Sequence, residues 1–237
     1  MHKSLYTVAL TTLGLGLFSS SASAISLSFV DHDNDFNALN PELAFVAEGR
    51  IGNNAMNGTH ELNFHGINPA NPTATSDQAD FVWDNGTETD FELTYNALTG
   101  AVTYTVNGTT LNATANDNAV NDIFLRVRAT QADTSILLDN LFLDGEAIGD
   151  SLSVTGGGAW AEGMEYLRIS DFTGDFKLTG TSTMTWGDTR PNNSNLAYQI
   201  KVGTADGGSE PEPVPEPVSS LGLLLGAAGL VLSRRAS

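Results

Sequence analysis

The chain has 237 residues, enough for one domain of ordinary size with a sizeable core. Its 28 acidic and 10 basic residues give a formal net charge of -18 and a pI near 4.2. That sign opposes nucleic acid and anionic lipid, which need clustered Lys and Arg, and leaves cations, neutral glycans or basic proteins as partners. The absence of cysteine excludes disulfides, thiolate metal sites and a Cys nucleophile.

The N-terminus has the layout of a secretory signal peptide. Lys3 supplies a positive start, Leu5 to Phe18 is mostly apolar, and Ala22-Ser23-Ala24 is a small-x-small cleavage site. Cleavage after Ala24 predicts a body beginning at residue 25. "ISLSF" then places Ile25, Leu27 and Phe29 on one face of a strand.

The acidic stretch "DHDNDFNALNPE" follows, with Asp31, Asp33 and Asp35 alternating and Glu42 in the twelfth position. Oxygen ligands at such intervals suit a hard cation, and the spacing resembles an EF-hand calcium loop. Phe36 stands where that loop needs Gly, and Pro41 interrupts it, which leaves a looser calcium site of clustered oxygens as a candidate, built from this loop or from Asp139-Asn140. The leading reading is an acidic solvated loop and, at Asp139-Asn140, a bulge at a strand end. Pro41 to Val46 is compatible with a short helix.

"HELNFH" has His60, Glu61 and His65, but a zinc-protease helix needs its two histidines four apart, not five. On a strand, positions 60 and 65 face opposite ways, which predicts surface imidazoles. Trp83 precedes Asp84-Asn85, and Trp160 follows the Gly-rich loop 156–158. Exposed aromatics beside amides and carboxylates suit sugar stacking, so Trp83 and Trp160 are candidate glycan platforms, with core packing the alternative. The Gly-rich loop lacks the Lys-Ser/Thr of a phosphate loop.

Period-2 alternation recurs through the rest. Phe91, Leu93 and Tyr95 form one run, and Val102, Tyr104 and Val106 the next, with "NALTG" between them as a hairpin turn. Further runs lie at Ile123 to Val127, Ile136 to Leu143, Leu152 to Val154, Tyr166 to Ile169, Phe176 to Leu178, Met184 to Trp186 and Leu196 to Val202. Many short strands with frequent turns predict an all-β, antiparallel β-sandwich of jelly-roll type over 25–203. Five Asn-x-Ser/Thr triplets, at Asn57, Asn85, Asn107, Asn112 and Asn192, mark an Asn- and Thr-rich surface.

Residues 204–213 have the composition of an exposed linker. Residues 214–237 then give Val214-Pro215-Glu216-Pro217, an apolar run from Val218 to Leu232, and Arg234-Arg235. At about 1.5 Å per residue that run is a short transmembrane helix, with the arginines on the cytoplasmic side. The ordered triplet, helix and basic end resemble the PEP-CTERM sorting signal of Gram-negative bacteria. The resemblance covers about the last tenth of the chain. It implies recognition by the membrane enzyme exosortase, processing near Pro215-Glu216-Pro217, and an association with exopolysaccharide. The hairpin-rich strands also resemble lectin-like jelly rolls and the "choice-of-anchor" bodies that accompany such signals.

The sequence thus predicts a non-enzymatic exported protein of the cell surface or exopolysaccharide matrix, held first at the inner membrane. The rivals are a dedicated carbohydrate-binding module and a secreted glycan-active enzyme. An exposed aromatic beside polar groups on a concave sheet favours the first rival. A cleft with paired carboxylates, one of them with a raised pKa, favours the second.

Overall fold

The computed structural model describes residues 25–52, 60–66, 76–116, 119–157 and 163–206. The elements are β1 (Ser26–Val30), α1 (Asp33–Ala38), β2 (Glu42–Ile51), β3 (Leu62–Gly66), β4 (Ser76–Ala79), β5 (Glu88–Tyr95), β6 (Ala101–Val106) and β7 (Thr109–Thr114). After them come β8 (Asp122–Ala129), β9 (Thr134–Leu143), β10 (Glu146–Ala147), β11 (Leu152–Thr155), β12 (Met164–Ser170), β13 (Phe176–Trp186) and β14 (Leu196–Thr204). The described protein is all-β, with two sheets packed face to face and every pairing antiparallel. The first sheet has the order β1-β12-β8-β14-β2-β3-β4. The second runs β10-β9-β13-β5-β6-β7, with β11 also on β9.

Four of the pairings are nested in sequence. β2 pairs with β14, β5 with β13, β8 with β12, and β9 with β11, and successive pairs alternate between the two sheets. Hairpins add β3 and β4 beyond β2, β6 and β7 beyond β5, and β10 beyond β9, while β1 takes the remaining edge against β12. Asn96 accepts the Thr99 amide at 2.9 Å and shapes the turn between β5 and β6, where the alternation predicts it. Asn107 and Gly108 close β6 onto β7 with φ of 41 and 84, the two left-handed residues that a tight hairpin turn requires.

Alternation puts one set of side chains between the sheets. Phe45, Ile51, Ile123, Leu125, Leu167, Tyr198 and Ile200 come from the first sheet, and Phe91, Leu93, Tyr104, Ile136, Leu138 and Leu178 from the second. Tyr104 donates its hydroxyl to that of Tyr198 at 2.7 Å, so the polar atoms of two fully buried tyrosines satisfy each other across the core. Burial first, and their mutual contact second, raises the Tyr104 pKa well above its ordinary value.

Two local expectations are corrected. Pro41 to Val46 is not helical, because Glu42 opens β2, one of the long strands of the first sheet. Ala44, Phe45, Val46 and Ala47 are all buried, so both faces of this strand are covered and no alternation marks it. The helix lies earlier, at Asp33–Ala38, inside the stretch read as a cation loop. Phe176 to Leu178 and Met184 to Trp186 belong to one strand, β13, whose centre is small or hydroxylated.

The body extends to Asp206. Ala205 donates its amide to Asp122 Oδ2 at 2.9 Å, and Asp206 donates to the Leu39 carbonyl at 2.8 Å. Among the described residues no helix is long and apolar enough to cross a membrane.

Candidate functional site

The two outer faces of the sandwich differ in character. On the second sheet, outward residues line up across strands. Asp139, Thr181 and Asp90 form one row over β9, β13 and β5. Phe142, Thr179, Glu92 and Thr105 form the next, which continues onto β6. Asp90, Glu92, Thr105, Phe142, Thr179 and Thr181 from these rows, with Asn107 and Asn140, line an open groove of about 510 Å³, and Asp139 stands beside it next to Thr181.

Gly180 lies in the lining of this groove. On the core side, a Cβ there would stand 2.6 Å from Leu141 Cδ2 and 2.7 Å from Phe91 Cζ, so a larger residue would push on these two side chains. The β13–β9 register shifts between Thr179 and Thr181, a bulge that places Asn140 at a φ of 51. Bulges re-aim the side chains beside them. Here Phe142 faces outward and remains 39% exposed, and Leu137 joins it on the outer face of β9. Asn140 Nδ2 donates to Thr181 Oγ1 at 3.4 Å, and Thr181 Oγ1 donates to the Asp139 carbonyl at 3.3 Å. Lys177 bridges to Glu92 at 2.6 Å. An exposed ring beside hydroxyls, amides and carboxylates can cover the apolar face of a sugar and bond its hydroxyls.

The first sheet carries a different pattern. Arg50, Arg126, Arg128, Arg168 and Lys201 are five of the seven Lys and Arg among the described residues, and all lie on its outer side. One row reads Tyr166, Arg126, Gln199, Glu48, Asn63 and Gln78 from β12 to β4. α1 straps one end of this row. Arg126 donates from Nε and Nη2 to the two oxygens of Asp33, each at 3.0 Å, and the Tyr166 hydroxyl donates to Asp33 Oδ1. Phe36 stacks on Tyr166 with centroids 4.9 Å apart, and Lys201 Nζ sits 4.8 Å over the Phe36 ring. Burial, aided by Arg126, brings the Lys201 pKa down to about 8.

The sequence candidates fall as follows. Trp83 is 4% exposed, which corrects its reading as a sugar platform. Its Nε1 donates to the Arg50 carbonyl at 3.0 Å, and its ring meets Phe81 and Tyr198 edge-on. Gly49 makes room for this packing, since a Cβ would stand 2.5 Å from Tyr198 Cε1 and 2.9 Å from Trp83 Cζ2. Trp160 and Asn57 lie outside the described residues. So do Ala22 and Ala24, expected at a signal cleavage site, and Val214, Pro215, Glu216, Pro217, Arg234 and Arg235, expected in a sorting motif.

Of the calcium candidates, Asp33 is committed to Arg126 and Tyr166, Asp35 pairs with His32 at 2.8 Å, and Asp31 and Glu42 are exposed at the ends of β1 and β2. No group of three or more carboxylate or histidine side chains is gathered for a metal among the described residues. His65 is exposed on β3 and contacts Asn63 Nδ2 at 2.6 Å. Glu61 is sealed in. Burial raises its pKa against the Gly52 amide, which donates to Oε2 at 2.8 Å, and against Arg190 at 3.7 Å from Oε1.

Phe142, Thr181, Asp90 and Asp139 were not singled out as a glycan face from sequence. The available signal was "ILLDNLFLDG", where Leu137 and Phe142 break the apolar alternation that Ile136, Leu138, Leu141 and Leu143 carry. Comparison of the chain with models of known protein families and with curated proteins finds no match in either.

Proposed function

We propose that this chain is an exported, non-enzymatic β-sandwich that attaches to polysaccharide outside the cell. The groove on the second sheet carries the binding half of this reading, through the exposed Phe142 beside Asp90, Asn107, Asn140 and the β13 threonines. The nested strand pairs support a jelly-roll arrangement, a fold used by many lectin domains, though fold alone says little about activity. The non-enzymatic half is carried by the sequence, which has no nucleophile elbow, phosphate loop or zinc-protease spacing.

Delivery rests on the tail. Val214 to Pro217, the apolar run and Arg234-Arg235 fit an exosortase-read signal that holds the chain at the inner membrane until processing. Replacing Pro215-Glu216-Pro217 by three alanines is expected to leave a full-length, membrane-held form in fractionated cells. Normal maturation of that variant overturns the sorting assignment.

The binding half is tested by retention of the full chain on insoluble cellulose, chitin, chitosan and agarose. Phe142→Ala is expected to weaken retention about tenfold on whichever polymer holds the parent, since one central aromatic commonly dominates such contacts. Its melting temperature should stay close to the parent's, because the ring is already part-exposed. Retention on none of the polymers, or retention that Phe142→Ala leaves unchanged, removes the groove from the function.

A further inference from the structure

We propose that the groove selects polysaccharide bearing free amino groups, a polymer of 2-amino-2-deoxyhexose units that are not N-acetylated; this rests on the glycan reading above. The carrying observation is the placement of charge around the aromatic. Asp90 and Asp139 flank Thr181 on opposite sides, and neither carboxylate has an ion-pair partner among the described residues. Glu92 stands on the same face of β5 as Asp90, about 6.6 Å along the strand, and is already paired with Lys177. The groove therefore joins an apolar ring surface to one carboxylate in its lining, Asp90, and a second at its side, Asp139, neither of them in an ion pair among the described residues. Opposite charges near such a surface are attracted and like charges repelled, so ammonium-bearing sugars gain and uronates lose.

A metal ion does not fit the same charges. Asp90 and Asp139 lie two strands apart, about 9.6 Å across the sheet, whereas calcium needs its oxygens within about 2.6 Å of one centre. An extended polymer with a cation on each unit can meet both carboxylates while one of its rings covers Phe142. Thr179, Asn107 and Asn140 offer a hydroxyl and amides to the sugar hydroxyls between them.

The test is titration calorimetry of the full-length chain at pH 5.5 and low salt. The probes are hexamers of glucosamine, of N-acetylglucosamine and of galacturonate. The glucosamine hexamer is expected to bind about tenfold more tightly than the acetylated one, with the gap narrowing as salt rises, and galacturonate should not bind. Asp90→Asn with Asp139→Asn should bring the two glucosamine-type ligands to equal affinity. Asp31→Asn with Asp35→Asn, which removes two exposed charges on the side of the first sheet, should leave the preference intact and so controls for the net charge of the chain. Equal affinity in the parent, tighter binding of galacturonate, or a preference that survives the groove variant or vanishes in the control overturns this inference and leaves the glycan reading standing. Failure of all three hexamers, together with no retention on the insoluble polymers, overturns both.

Discussion

Trp83→Ala is expected to destabilise the protein by about 4 kcal/mol, the range measured when a large buried aromatic is cut to Ala. In a body of this size that lowers the melting temperature by roughly 8 to 16 °C. The cause lies in the middle of the sandwich. The indole is 4% exposed, fixed by its bond to the Arg50 carbonyl, and set against Phe81 and Tyr198 in the space that Gly49 leaves open. Removing it leaves a cavity that two pleated sheets are too stiff to close, and also leaves a carbonyl without that donor. Trp83→Phe should recover much of the loss. A melt within 2 °C of the parent, coupled to lost retention on polysaccharide, would restore Trp83 as a sugar platform and sink the packing account.

Asp33→Ala is expected to cost about 3 kcal/mol at pH 7, or roughly 6 to 12 °C. The substitution strands a guanidinium. Arg126 is almost wholly covered, and its Nε and Nη2 both donate to Asp33. Arg128 and Lys201 stand near enough that their pKa values are lowered by burial and by Arg126, so an unpaired Arg126 has no compensating charge to turn to among them. The Tyr166 hydroxyl loses its acceptor as well, and α1 loses its main tie to the sheet. Burial alone would raise the Asp33 pKa. Hydrogen bonds from Tyr166 and Arg126, with the charge of Arg126, more than offset that and leave it below the ordinary aspartate value of 3.8. A carboxyl with a lowered folded pKa stabilises the fold above its unfolded pKa, and that contribution fades as pH falls through the folded value. The gap between parent and Asp33→Ala should therefore be full at pH 7 and shrink below about pH 3.8. Thermal melts across pH 2.5 to 7, on the scale where paired aspartates titrate, check both statements. A gap that stays constant throughout this range would mean the carboxylate's charge contributes nothing.

These two residues show what could be read in advance and what could not. The strands with one wet face announced themselves. "FELTYNALTGAVTYTV" gave a hairpin because Phe91, Leu93, Tyr95, Val102, Tyr104 and Val106 share one side and the chain must turn between them. β2 was invisible as a strand because Ala44 to Ala47 are buried on both faces, which erases the period. β13 looked like two pieces because Gly180, Thr181 and Ser182 at its centre are buried without being large and apolar. Asp33 had the right element for a cation ligand, an oxygen donor in an acidic stretch. What it binds is set by Arg126, 93 positions away, and by the pairing of β8 with β12. Trp83 carries no local mark of burial at all. Phe142 did carry one, as an apolar residue out of phase, but its meaning depends on the bulge at Asn140 in its own strand, which shows only once β9 is paired with β13.

The nested strand pairs impose an order of assembly on a chain that emerges N-terminus first. β9 and β11 are separated by a short span and can zip together as soon as both are out, whereas Glu42 at the start of β2 must wait for Thr204. Between those events β2 is an apolar segment with one long edge unpaired, the kind of edge that recruits other chains. Contacts so distant in sequence also place the body among slow folders, closing in milliseconds to seconds rather than microseconds. β14, the last of the described strands, lies between β8 and β2, so the first sheet stays in two halves until it arrives.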